Sequence, residues 1–142
     1  MIVVDTNIIG YLYLSSDRSD QAEKALLIDS EWVTPILWRS EFRNVLAIYI
    51  RKNILMLEDA VRIMDEATLL MQGGEYESVS LQVLQLVGES TCSAYDWEFV
   101  ALARDLNVRL LTLDKQIIKQ FPNEAISLDE YVSQGGDGLP QL

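Results

Sequence analysis

The chain has 142 residues, close to the usual size of one domain, and 49% of them are hydrophobic, so it can bury a core and does not read as disordered. It contains no histidine, which excludes Ser-His-Asp and Cys-His nucleophile systems, a His general base and the common His-containing zinc sites. The net charge of −11 repels phosphate backbones at long range, so an RNA substrate would need bound cations and a few local Arg or Lys.

The chain opens on a short buried strand, Ile2-Val3-Val4, that ends at Asp5. Asn7 is expected to cap a short helix from Ile8 to Leu14, and a second helix is expected from near Asp17 to Ile28. Trp32-Val33-Thr34 reads as the next strand. Pro35 then opens a long helix to about Lys52, in keeping with proline's preference for a first helical turn. A further helix covers Leu57 to Met71 and stops at Gly73-Gly74. Tyr76 to Val79 reads as a third strand, Leu81 to Val87 as a short helix, and Ser93 to Leu106 as a longer one. Val108 to Thr112 reads as a fourth strand, Asp114 caps a helix to Gln120, and Ala125 to Leu128 is a fifth strand. Residues 133–142, SQGGDGLPQL, read as a flexible C-terminal tail, leaving residues 1–132 as one domain. Strands alternating with helices imply a mostly parallel sheet covered on both faces, with ligands beyond the carboxyl ends of the strands.

The single cysteine, Cys92, cannot form an internal disulfide and reads as a buried thiol of a reducing cytoplasm. The N-terminal MIVVDTN lacks a positive region, and no apolar run is long enough to span a bilayer, so no membrane association is expected.

Four acids stand out. Asp5 and Asp114 each follow a strand, and taken singly each reads as a cap. Asp96 completes the capping-box pattern Ser93-Ala-Tyr-Asp96, which is also a structural role. Glu41 shares a helix face with Leu37, Trp38, Val45 and Ile48, and a carboxylate there needs either an arginine partner or a metal. Arg39 and Arg43 sit two residues away and point elsewhere. Taken together, two acids after strands and two on helices that could flank the same strand ends are expected to meet at one negative, oxygen-rich mouth. Carboxylates about 5 Å apart repel by roughly 3 kcal/mol per pair at an effective dielectric of about 20. A divalent cation relieves this, and all-oxygen ligation without His or Cys selects Mg²⁺, Mn²⁺ or Ca²⁺ over zinc.

The segments Ile2-Val-Val-Asp5-Thr-Asn7, Ser40-Glu41-Phe-Arg-Asn-Val45-Leu, Tyr95-Asp96-Trp-Glu-Phe-Val-Ala-Leu-Ala103 and Leu110-Leu-Thr112-Leu-Asp114 together resemble the PIN-domain nucleases, particularly the VapC-type toxins of bacterial toxin–antitoxin pairs. The resemblance implies a three-layer α/β/α sandwich with a central sheet of about five strands. It implies Mg²⁺- or Mn²⁺-dependent hydrolysis of RNA, with Asp5, Glu41, Asp96 and Asp114 as catalytic, metal-binding acids. Asn7 and Thr112 look like substrate-orienting or supporting residues, against their plainer readings as a helix cap and a strand threonine. A cognate antitoxin and a homodimer are the implied protein partners. Tyr11, Leu12, Leu14, Leu55, Met56 and Leu57 read first as core packing; the other reading is an apolar groove, which the resemblance implies as the antitoxin seat. Many relatives carry another acid shortly after the last motif, whereas Ile117 and Ile118 follow Asp114 here. The competing reading is a PIN fold that no longer cuts and serves as a protein-interaction module. A haloacid-dehalogenase-type site is disfavoured because Asn7 stands where a second aspartate is needed. A receiver domain is disfavoured because Asp5 is alone near the first strand.

Overall fold

The computed structural model describes residues 1–136. Five strands form one all-parallel sheet: β1 (Ile2–Val4), β2 (Trp32–Pro35), β3 (Glu75–Tyr76), β4 (Leu110–Thr112) and β5 (Ala125–Ser127), in the spatial order β3-β2-β1-β4-β5. The helices are α1 (Thr6–Tyr13), α2 (Ser19–Ile28), α3 (Trp38–Arg51), α4 (Leu57–Leu70), α5 (Ser80–Leu84), α6 (Ala94–Leu106), α7 (Lys115–Gln120) and α8 (Leu128–Gln134), with a 3₁₀ turn at Gln85–Gly88 after α5.

Alternation along β1 sorts these helices into two layers. Ile2 and Val4 face a core built with Ile8, Ile9, Ala25, Trp38, Phe42 and Tyr131, which belong to α1, α2, α3 and α8. Val3 points the other way, into a second core with Phe99, Val100, Ile117 and Phe121. All three residues of β1 are fully buried, as a central strand covered on both faces requires. The result is the expected α/β/α sandwich.

The element boundaries differ from the sequence reading at several places, each for a tertiary reason. Pro35 does not open a helix. It closes β2 opposite Tyr76, and α3 begins at Trp38. The donors from β2 to β3 are the N–H groups of Thr34 and Ile36, so the missing N–H of proline leaves that ladder intact. The third strand is Glu75–Tyr76 rather than Tyr76 to Val79, because β2 has turned away beyond Pro35 and offers nothing more to pair with. Gly74 is required just before it, since a Cβ there would collide with the Trp32 carbonyl.

The fifth strand ends at Ser127, and a helix follows where a flexible tail was expected to begin shortly afterwards. The Ser127 side chain accepts from Glu130 N–H at 3.1 Å and caps α8, while Leu128 and Tyr131 bury into the first core. Ser133 and Gln134 lie in that helix. The remainder of the anticipated tail from residue 137 onward falls outside the described residues. Among the described residues no helix is long and apolar enough to cross a membrane.

Candidate metal centre

The strand order reverses at β1: β2 and β3 lie on one side, β4 and β5 on the other. In open α/β sheets ligands sit beyond the carboxyl ends of the strands at such a reversal, here the ends of β1 and β4. Asp5 is the first residue past β1, and its N–H donates to Leu111 O at 3.0 Å, so the ladder to β4 fixes its backbone. Asp114 lies two residues past β4 and caps α7, its Oδ1 accepting from Gln116 N–H at 2.9 Å and Ile117 N–H at 3.1 Å. Asp96 sits in the first turn of α6 within a reciprocal capping box with Ser93. The capping readings of Asp96 and Asp114 are thus correct, and they coexist with membership of the cluster.

Two cap and face assignments change. The N-cap of α1 is Asp5, whose Oδ1 accepts from Thr6 N–H at 2.7 Å. Asn7 is instead an exposed residue inside that helix, with no hydrogen bond to its side chain among the described residues. Glu41 is half-buried at the edge of α3, whose core-facing residues are Trp38, Phe42 and Leu46. The helix turns it toward Thr6 instead of into the apolar stripe.

Hydrogen bonds join three of the acids. Thr6 Oγ1 donates to Glu41 Oε1 at 2.7 Å, and the N–H of the same threonine donates to Asp5. Thr112 Oγ1 donates to Asp5 Oδ2 at 2.7 Å and accepts from Asp114 N–H at 3.0 Å. Thr6 and Thr112 are both buried. Thr6 was not singled out from sequence. Its signal was adjacency to Asp5, but nothing in the one-dimensional pattern linked it to α3.

The fields of the acids overlap. Burial pushes the Asp5 carboxyl up to about 6, with Asp96 and Asp114 adding to the rise against the Thr112 and Thr6 donors. Burial also raises Glu41, and Asp5, Asp96 and Glu98 reinforce it while Thr6 opposes. Asp96 is raised by burial and then by Asp114, against its bonds with Ser93. Glu98, one turn beyond Tyr95 on α6, thus extends the acidic field beyond the four residues picked from sequence.

No arginine or lysine neutralises any of the four among the described residues. Arg39, one of the two arginines nearest Glu41 in sequence, makes a two-pronged pair with Glu75, Nε to Oε2 and Nη2 to Oε1, each at 2.6 Å. Glu75 also accepts from the Trp38 indole at 2.7 Å. Arg43 donates to the Arg39 carbonyl.

The acids do not form a closed ligand cage: among the described residues, no three carboxylate, His or Cys side chains are drawn together tightly enough to enclose an ion. The expectation of a single converged mouth is corrected to an open cluster coupled by field and hydrogen bonds. Its chemistry fits a hydrated hard cation. The donors are all oxygens, the charges are uncompensated, and Glu41 Oε2, Asp96 Oδ1 and Asp114 Oδ2 receive no hydrogen bond from the described residues. Mg²⁺ retains several waters and is held through one or two carboxylates together with substrate phosphate oxygens, so a closed protein cage is not what it requires.

The groove residues picked from sequence separate. Leu14 is buried, Tyr11, Leu12 and Leu55 pack on the margin of the first core, and Met56 and Leu57 are exposed. A mainly apolar groove of about 260 Å³ lies between α3 and α4, lined by Leu46, Ala47, Ile50, Ala60, Val61 and Met64 together with Arg43 and Asp65.

The family model described as PIN domain matches residues 2–122. Ribonuclease VapC3 of Pyrobaculum aerophilum is 32% identical over 124 residues, which is 85% of this chain and 95% of that protein. Among solved structures, PAE2754 from Pyrobaculum aerophilum superposes with a TM-score of 0.73 at 18% identity, covering 94% of this chain and 95% of the other. FitAcB from Neisseria gonorrhoeae superposes with a TM-score of 0.68 at 17% identity, covering 90% and 98%.

Proposed function

The chain belongs to the PIN-domain family, and from that membership and its carboxylate cluster we propose that it is a metal-dependent endoribonuclease, the toxin of a toxin–antitoxin pair. The observation that carries this reading is a cluster of acids, Asp5, Glu41, Asp96 and Asp114, at the sheet's reversal point, whose mutual repulsion no arginine or lysine of the described residues offsets by an ion pair. The ribonuclease relative supports RNA as the substrate. The domain of residues 1–132 is proposed as the active unit.

Mg²⁺ or Mn²⁺, when bound, would supply Lewis acidity to the phosphate and ease ionisation of water. Asp5, Asp96 and Asp114 would hold it, Asp5 through the lone pairs its two threonine donors leave unused. Glu41 orients the attacking water and takes up its proton through the carboxylate oxygen that Thr6 leaves free. In-line attack forms a bond from the water oxygen to phosphorus as the P–O3′ bond breaks, so that one fragment keeps a 5′-phosphate and the other a 3′-hydroxyl, protonated by solvent. Thr112 keeps Asp5 ionised and aimed by donating to Oδ2. Asn7, exposed two residues from Asp5 with an unengaged amide, is suited to orient the RNA strand. Lys115 and Lys119 lie one turn apart on α7, exposed and outside every ion pair of the described residues, and supply local positive charge beside Asp114.

The antitoxin is proposed to carry basic residues that complement the net charge of −11, and an apolar segment that fills the groove between α3 and α4. The cytoplasm is the proposed compartment, consistent with the buried, unpaired Cys92.

Calorimetric titration with Mn²⁺, paired with RNA cleavage by wild type and Asp5→Ala, tests the assignment. Metal binding with cleavage lost in Asp5→Ala supports it. Metal binding without any cleavage that the substitution affects assigns the chain to an inert interaction module instead.

A further inference from the structure

We propose that Thr6 is the positioning residue of Glu41: its hydroxyl clamps one oxygen of that carboxylate against the first turn of α1 and leaves the other free in the acidic cluster. Glu41 comes from α3, 35 residues away in sequence, and its three side-chain torsions would let it swing if unanchored. Thr6 Oγ1 at 2.7 Å is its only side-chain hydrogen-bond partner among the described residues. No cation holds it.

Three features make Thr6 more than a neighbour. It is 4% exposed, so its hydroxyl faces no competing bulk water. A threonine hydroxyl has one hydrogen, and here it goes to a carboxylate, which makes the contact a charge-assisted bond. The backbone N–H of the same residue donates to Asp5 Oδ1 at 2.7 Å. The separation between N–H and Oγ1 within one residue is set by covalent geometry and one stiff torsion, as a β-branched side chain provides. Thr6 therefore sets the positions of Asp5 and Glu41 relative to each other, at the point where α1 leaves β1. Supporting contacts of this kind orient ligating carboxylates and raise their effectiveness.

The catalytic consequence rests on the nuclease reading; the clamp itself does not. In the metal-free protein, the Thr6 hydroxyl proton is expected as a slowly exchanging NMR resonance with a cross-peak to the Glu41 side chain, lost in Glu41→Ala. Thr6→Val keeps the volume and branching and removes the hydroxyl. It is expected to weaken Mn²⁺ binding or lower kcat by about 10- to 100-fold with KM for RNA unchanged. Thr6→Ser is expected to restore both, and Thr6→Val is expected to add no further loss of Mn²⁺ affinity in a Glu41→Ala background.

Three outcomes would each overturn the proposal. They are a hydroxyl resonance indifferent to Glu41→Ala, Thr6→Val matching wild type in metal affinity and kcat, and unfolding of both Thr6→Val and Thr6→Ala, which would make Thr6 simply structural. If wild type cuts no RNA, the nuclease reading fails by itself. The hydroxyl resonance and the Mn²⁺ affinity series still decide the role of Thr6.

Discussion

Thr112 Oγ1 donates to Asp5 Oδ2 at 2.7 Å and so ties the end of β4 to the end of β1 at the point where the sheet order reverses. The same oxygen accepts from Asp114 N–H, so one buried hydroxyl locates two acids. Thr112→Val removes the donor to Asp5 and leaves the Asp114 N–H without its acceptor. A cost of about 1–3 kcal/mol is expected, with Thr112→Ser close to wild type. Urea unfolding of the metal-free protein measures it.

Asp5 gives a pH signature. Its pKa rises from the ordinary 3.8 to about 6 in the folded state, so folding tightens its hold on a proton. Its contribution to stability is fully present below the unfolded value and is lost as pH rises through about 6. The two-unit shift corresponds to about 3 kcal/mol that the ionised carboxylate withholds from the metal-free protein at neutral pH. Asp5→Asn is expected to be more stable than wild type at pH 8 without metal, and the difference should shrink as pH falls through about 6 and vanish only below about pH 3. Melting curves of both proteins across pH check it. The same variant should be inactive.

Metal binding must expel the proton that Asp5 retains in mild acid. Mn²⁺ affinity is therefore expected to be flat above pH about 7 and to fall by about tenfold per unit well below 6. At neutral pH, metal in hundredfold excess over its dissociation constant should stabilise the fold by about 2.7 kcal/mol. Calorimetry across pH and melting curves with and without a chelator read the two effects. A melting temperature indifferent to saturating metal would count against the site.

The acidic surface makes the few unpaired cations matter. Lys115→Gln and Lys119→Gln should weaken RNA binding at low salt, and each should reduce the slope of log affinity against log salt by about 0.7, the value for one contact with a single strand. Fluorescence anisotropy with an RNA oligonucleotide over a salt series provides the measurement. Circular dichroism should be unchanged, because neither lysine is paired within the described residues.

Much of the fold was legible in one dimension. The alternation of short apolar runs with amphipathic stretches predicted the helices and the parallel sheet, since side-chain period follows backbone geometry. Capping chemistry was legible too: Ser93 with Asp96, and Asp114 ahead of α7, bond to residues two or three positions away. The reading of Pro35 failed because a proline compatible with a helix start is equally compatible with a strand whose donors lie on either side of it. The missed α8 carried a local signal in Ser127 and Glu130, overshadowed by the glycine-rich residues that follow.

The sequence by itself determined which residues are acidic, which of them end strands or start helices, and that neither histidine nor a pair of cysteines was available to offset them. Only the tertiary structure decided that β1 lies between β2 and β4, that Arg39 is committed to Glu75, and that Thr6 and Thr112 bridge acids from three different elements. It also left the cluster open rather than closed on a point. The physical reason is range: capping and periodicity act over a few residues along the chain, whereas repulsion between carboxylates and the donors that hold them depend on distances through space that the sheet order creates.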